Sequence, residues 1–365
     1  MRILAIIDKN IQSQGGPVYL LRKQFFFFNK INNFKLRIFE TKKIKLNIFL
    51  FYFFFKKEKI DNILKNVDIL HFHVFWNLKN ILIAYRALDK KIPYLFSIHG
   101  QLDIWSVKKN FFLKKLFYFF FKKIFLFSSG YQMSTFEEVL ESKKFCNLKN
   151  IFILSNGVDV NLDLGNNLKN SEIKKLIFLG RIHPKKGIEI FLESFNSLSE
   201  TEKSSFKITI VGTGKLNYIN ELKNKINFLN LSKYVKILPP VFDARKRLNL
   251  LKRFDLFFLT SYEEADSIAV KQAMACGLPV IISEQCRLKD VKKFSCGFIV
   301  KTTHASILKT LKKVRKIKNL SLLGVNSKKL ADKNFNIVKM NNIILKIYSD
   351  IVLGKKSTPN WIIKD

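Results

Sequence analysis

Two successive series of short apolar runs, each run separated from the next by a stretch of helical periodicity, constrain this chain more than any other feature. The first series is 3–7, 35–39, 69–72, 94–98, 124–128 and 151–154, with helices expected from about residue 17, over 78–89 and over 131–142. Runs this short and apolar suit strands buried on both faces, and strands alternating with helices require crossovers, hence a parallel sheet. The segment 161–171 is polar, Asn-rich and aperiodic, which reads as a linker. Beyond it the alternation restarts at 176–179, 207–211, 235–238, 255–259, 280–282 and 298–300. The expected architecture is therefore α/β with two doubly wound domains, 1–165 and 172–340. A last helical stretch begins near 334 and reaches 352, and its part within 341–365 has no following strand and is free to pack back on the first domain.

At 365 residues and 48% hydrophobic content the chain can fill two such cores. Its 65 Lys and Arg against 28 Asp and Glu give a formal charge of +37, which favours phosphorylated substrates, anionic lipid or nucleic acid and says nothing of fold. Phe (37 residues), Lys, Ile and Asn are all read from A/T-rich codons, so mutational bias is a second account of the basicity. Cys146, Cys276, Cys286 and Cys296 form no metal-binding spacing and read as buried thiols of a reducing compartment, with the cytoplasm expected. The apolar run at the N-terminus is too short for a signal peptide, and no uncharged run is long enough to span a bilayer.

Ligands of open parallel sheets bind beyond the carboxyl ends of the strands, so the residues just after the expected strands are the candidates. Gly15 and Gly16 open the first helix, where bare backbone can approach a phosphate or sugar. His71 and His73 share one face of a strand, with Trp76 after them; two histidines without a third ligand make no metal site, which leaves an acceptor-pocket or a structural role. His99 ends the run 94–98, and Gly100, Asp103 and Trp105 come after it. In the second half, Gly180-Arg181-Ile182-His183-Pro184-Lys185-Lys186-Gly187 places cations between a strand and a helix, where Arg grips a diphosphate in two places and Lys adds a point charge. Gly212 and Gly214 also lie just after a strand, yet Asn217 stands where a dinucleotide fingerprint has its third Gly, so NAD and FAD are not expected. Glu264 lies beyond the run 254–259 and precedes a helix expected over 267–275, close to the exposed amides of its first turn.

Taken together, Gly15-Gly16, the segment from His99 to Trp105, Asn156-Gly157-Val158-Asp159, residues 180–187, 211–214 and 264–279 occur in the order found in the retaining glycosyltransferases of family 4, which this chain resembles over nearly its whole length. The resemblance implies the GT-B fold, two Rossmann-like domains facing each other across a cleft. It implies that Arg181 and Lys186 hold the donor diphosphate, that Glu264 contacts the transferred sugar, and that amides near Asp266, Ser267 and Ile268 bind its hydroxyls. Gly15, Gly16, Gly212 and Gly214 would lie on the donor, and His99 would line the reaction centre from the acceptor side with His73, Trp76, Asp103 and Trp105. Where the family has a second glutamate for the nucleotide ribose this chain has Gln272, and where many members have G-F-G it has Ala265-Asp266-Ser267. The implied chemistry is metal-independent hexosyl transfer with retained configuration, using a nucleotide sugar as substrate and no cofactor.

Residues 111–129 interleave aromatic runs with lysine pairs, a pattern equally suited to the interface of an anionic membrane and to a packed helix and strand with solvated lysines. Phe25–Phe28 and the aromatic run 49–55 lie in the same half. The resemblance implies that this half binds the acceptor, and a lipid-linked saccharide or polysaccharide acceptor would explain the placement. The resemblance and the basic, aromatic half together suggest cell-surface polysaccharide or lipopolysaccharide synthesis at the inner face of the membrane. The basic residues are spread along both halves without a nucleic-acid recognition signature, so nucleic acid is not expected as a partner. Two binding readings stand as alternatives: a nucleotide-sugar binder without turnover, which Gln272 favours, and a nucleic-acid-associated protein held by charge.

Overall fold

The computed structural model describes residues 1–8, 16–41, 57–160 and 173–355. Two compact units emerge, one from the described residues of Met1–Asn156 and Val338–Asp365, the other from those of Gly157–Ile337. The boundary after Asn156 precedes the expected linker, whose residues lie outside those described, as do Gly15 and the aromatic run 49–55.

In the first unit the elements run β1 (Arg2–Ile7), α1 (Gly16–Phe28), β2 (Lys35–Glu40), α2 (Lys57–Leu64), β3 (Ile69–Phe72), α3 (Leu78–Asp89), β4 (Tyr94–Ser97), α4 (Ile104–Lys108), α5 (Phe111–Phe120), α6 (Lys122–Leu126), β5 (Gly130–Met133), α7 (Phe136–Lys143) and β6 (Ile151–Ile153). The strands form one parallel sheet in the order β2-β1-β3-β4-β5-β6, with Ala5 opposite His71 and His71 opposite Leu95. Alternate residues of β1 feed two cores. Ile3, Ala5 and Ile7 pack with Leu21 and Phe28 of α1, whereas Leu4 and Ile6 pack with Leu64 and Ile83 on the other face. Burial on both faces is the condition that a continuous apolar strand requires.

One stretch departs from expectation. Residues 124–128 are not a strand: Lys122–Leu126 is helical, the strand is Gly130–Met133, and the next helix begins at Phe136 instead of 131. Buried or half-buried positions 117, 118, 121, 124, 125 and 128 repeat at helical spacing, and the exposed lysines at 122 and 123 fall between them. Thr135 sets the later helix start by accepting a hydrogen bond from the Glu138 amide at 3.2 Å.

The second unit contains β7 (Lys174–Leu179), a 3-10 turn (Pro184–Lys186), α8 (Ile188–Asn196), α9 (Glu200–Lys203), β8 (Phe206–Val211), α10 (Leu216–Phe228), β9 (Val235–Leu238), α11 (Ala244–Leu251), β10 (Leu256–Leu259), α12 (Ile268–Ala275), β11 (Val280–Ser283), α13 (Asp290–Lys293), β12 (Gly297–Val300), α14 (His304–Lys316) and α15 (Ser321–Asn334). Its parallel sheet has the order β12-β11-β10-β7-β8-β9. Strand order reverses between β7 and β10, which opens a crevice at their carboxyl ends. The final helix, α16 (Ile337–Val352), is separate from α15, and from Val338 onward it belongs to the first unit. There Ile344, Leu345, Ile347 and Tyr348 complete the core on the α1 face. All four cysteines are buried free thiols.

Candidate active site

The second sheet brings its charged loops together at the reversal point. Residues 181–187 leave β7 and residues 260–267 leave β10, and parallel neighbours deliver both loops to the same edge. Gly187 has φ of +63° and lies so close to Thr260 that a Cβ would stand 2.1 Å from the Thr260 carbonyl oxygen, so no other residue fits without a shift. Thr260 Oγ1 donates to the Gly187 carbonyl at 2.8 Å, and the Tyr262 amide donates to the Lys185 carbonyl at 2.9 Å. This splice puts two lysines opposite two glutamates. Lys185 pairs with Glu263 at 2.6 Å, and Lys186 pairs with Glu264, which also accepts from Ser261 Oγ at 2.6 Å. Burial alone would raise the Glu264 pKa, yet the charge and hydrogen bond of Lys186, with the Ser261 hydroxyl and Lys185, hold it below the ordinary carboxylate value. Glu264 is therefore a buried, ionised acceptor at the mouth of the sheet.

Around this pair the site is cationic. Arg181 is exposed, and His183 has its pKa lowered by burial and by Arg181, Lys186, Lys185 and Lys215. His183 Nδ1 accepts from the Lys185 amide at 3.1 Å, which fixes the turn that carries the lysines. Gly212 and Gly214 abut the same loop: Cβ atoms there would stand 1.8 Å from the Gly180 and 2.2 Å from the Ile182 carbonyl oxygens. Close backbone packing accounts for both glycines. Ser267 caps α12, accepting from the Val270 amide at 3.5 Å, and Ile268 begins the helix; the other first-turn amides have no partner within the helix. Asp266 turns its carboxylate inward to Lys271, whose side chain is fully buried with its ammonium 4.7 Å from the Phe335 ring centre. Gln272 is buried on the same helix.

In the first unit the expected acceptor-side residues divide into two groups. His73 and His99 are brought together, with Nδ1 and Nε2 3.0 Å apart and the rings stacked at 5.3 Å. Nε2 of His73 is buried without a partner among the described residues. An unmade acceptor costs less than an unmade N–H, so Nδ1–H of His73 donates to His99. His99 has φ of +49°, a left-handed backbone uncommon outside Gly, and the next amide, of Gly100, donates to buried Glu138 at 2.6 Å. Enclosure lowers the His99 pKa to about 4 and keeps the ring neutral. The remaining residues have mainly structural partners: Trp76 donates to the Gln101 carbonyl at 2.9 Å beneath Phe117 and Phe145, and Asp103 is buried ahead of α4, while Trp105 is exposed on that helix. Gly16 is the first residue of α1.

His71 serves the core. The Gln132 amide nitrogen donates to the Leu154 carbonyl at 3.1 Å, which leaves its oxygen to accept from Ser97 at 2.7 Å. Ser97 then accepts from Nε2–H of His71 at 2.7 Å, and Nδ1 receives the Tyr348 hydroxyl at 2.5 Å. This directed chain ties α16 to the sheet. Glu263, Ser261 and Lys271 belong to the second-unit site and were not expected from sequence, whereas Lys185 was expected only as one of the loop's cations. The doubled lysines and doubled glutamates are the signal that could have shown the Lys185–Glu263 pairing, since both doublets come after strands flanking the reversal.

Residues 161–324 match the family described as glycosyl transferases group 1. Among curated proteins, the chain is 28% identical over 236 residues to the UDP-Gal:alpha-D-GlcNAc-diphosphoundecaprenol alpha-1,3-galactosyltransferase of Escherichia coli, a match covering 60% of this chain and 59% of that protein. Among solved structures, the sucrose-phosphate synthase of Thermosynechococcus elongatus superposes with a TM-score of 0.78 at 13% identity over 97% of this chain and 100% of that one. HepE of Anabaena, in complex with UDP and glucose, gives 0.75 at 16% identity over 96% and 99%. The fold is the two-domain α/β arrangement of the GT-B class.

Proposed function

We propose that the protein is a glycosyltransferase that moves a hexose from a nucleotide sugar to a hydroxyl of a lipid-linked saccharide or polysaccharide acceptor. The observation that carries this reading is the ion pair of half-buried Lys186 with buried Glu264 at the reversal point of the second sheet, with Arg181 exposed on the Lys186 loop. A nucleotide sugar joins a diphosphate to a hydroxyl-rich ring, and the two loops offer cations and an ionised carboxylate in contact with each other. Arg181 and Lys186 would neutralise the charge that grows on the leaving diphosphate, the kind of stabilisation that is usually the largest catalytic contribution. Glu264 would accept hydrogen bonds from the sugar hydroxyls, with the amides at Asp266, Ser267 and Ile268 donating to others.

In the step we propose, the bond from the anomeric carbon to the phosphate oxygen breaks with its electron pair going to the diphosphate. The acceptor oxygen bonds to the same face of that carbon, and its proton passes to the leaving phosphate. Configuration is thereby retained. With side-chain cations on the diphosphate no metal is required. The neutral ring of His99 would contribute on the acceptor unit. Support for the acceptor class comes from the Escherichia coli relative, whose name specifies a diphosphoundecaprenol-linked acceptor.

The test is titration calorimetry and release of nucleoside diphosphate over a panel of nucleotide sugars, with chelator present throughout. One donor is expected to bind and turn over, and Glu264→Ala and Arg181→Ala are expected to abolish turnover. Binding without turnover in every case would favour the sugar-nucleotide binder that Gln272 suggests, and no binding at millimolar donor would reject both.

A further inference from the structure

Helix α5 (Phe111–Phe120) buries none of its ten residues, although six of them are Phe or Leu with at least two-fifths of their surface exposed. Its inner side is held: half-buried Phe117 meets Phe121 at 4.8 Å and Trp76 at 5.8 Å, and Tyr118 stacks on Phe125 at 5.5 Å. Phe112, Leu116, Phe119 and Phe120 recur at helical spacing on the opposite side, and Phe112, Phe119 and Phe120 are 74%, 71% and 66% exposed. A surface helix is expected to turn polar residues outward, whereas this one turns a second apolar stripe to the outside. Exposed apolar patches with a polar rim mark interaction sites.

Charge selects the partner. Lys108, Lys109, Lys115, Lys122 and Lys123 are all exposed around the stripe, and no acidic residue occurs from 104 to 136. Lys114 is turned inward, donating to the Ser106 carbonyl and lying 5.6 Å from the Trp76 ring. A protein partner of this face would need both an apolar groove and a ring of acids, whereas an anionic bilayer presents both layers at every point. We infer that α5, with the lysines flanking it, is the surface by which this protein lies on an anionic membrane, the phenylalanines in the acyl boundary and the ammonium groups among the headgroups. At ten residues α5 is too short to cross a bilayer, so its contact is with one leaflet. This reading names the membrane-facing surface of the acceptor unit and so extends the proposed lipid-linked acceptor, but it needs no turnover to be tested.

Vesicle flotation decides it, using the whole protein without donor and vesicles of phosphatidylcholine alone or mixed equally with phosphatidylglycerol. The expected result is flotation with the mixed vesicles that weakens with salt and is lost in a Phe112→Ser, Phe119→Ser, Phe120→Ser variant. Because these side chains are exposed, the variant is expected to keep the parent urea midpoint. Lys122→Gln with Lys123→Gln is expected to lower partitioning about thirtyfold, from roughly 1 kcal/mol per lysine. Three outcomes would overturn the inference: no flotation of the folded parent with mixed vesicles, flotation undiminished in the phenylalanine variant, or a dimer held by these phenylalanines in a protein that ignores vesicles. Donor calorimetry on the same samples reports separately on the transferase reading.

Discussion

At the scale of single residues, the second unit hides charge in pairs. Removing one partner of a buried pair leaves an uncompensated charge, which is far worse than removing both. Lys271→Met is therefore expected to destabilise the protein by about 3–5 kcal/mol, because the inward carboxylate of Asp266 loses its ammonium partner. Adding Asp266→Asn should restore most of that loss. Urea unfolding of the single and double variants measures both, and equal stability of the two would show that the pair is not coupled. The same logic explains why Glu264 stays ionised inside the protein: the compensating cation, Lys186, comes from the loop of a different strand.

At the scale of elements, the loops after β7 and β10 work only as a spliced pair. Gly187→Ala places a methyl group against the Thr260 carbonyl and forces a left-handed backbone on Ala, so a loss of about 2–4 kcal/mol is expected from strain and overpacking together. Gly354 has a similar φ of +61° with nothing within 4 Å of a Cβ, so Gly354→Ala should lose only the backbone part, about 1–2 kcal/mol. Thermal or urea unfolding of the two variants checks the contrast, and a Gly354→Ala loss as large as that of Gly187→Ala would remove the steric argument. Most strands were legible in the chain, since a strand buried on both faces needs only a run of apolar residues. The stretch 122–133 was misread because Phe and Ile there satisfy a strand by composition, and only the helical repeat of the inward positions separates the two.

For the whole molecule, acid stability depends on the first unit's three strand-end histidines. Burial lowers the pKa of His71 and His73 well below the ordinary value and that of His99 to about 4. The unfolded chain takes up protons from about pH 6.5 downward while the folded histidines stay neutral. Their contribution to stability is thus fully present above that pH and declines as pH falls toward 4. Each adds up to about 1.4 kcal/mol per pH unit to that decline. Urea midpoints measured from pH 7 to pH 4 should fall, and His99→Gln should flatten the profile; a profile unchanged by that substitution would remove His99 from the account. Tyr348 binds His71 from the far end of the chain, so acid uptake at that histidine would also loosen α16.

The amino-acid sequence determined all but one strand of the two series, the restart of the pattern in the second half, and most candidate residues on the loops, because those depend on local periodicity and on the residue types at the end of each strand. Tertiary structure alone decided which loops meet. Lys186 and Glu264 are 78 residues apart and touch because β10 pairs with β7 instead of β9. His71 reaches Tyr348 across 277 residues for the same kind of reason. Strand order is chosen by the burial of both sheet faces together, a sum over the whole unit that no single window of sequence contains.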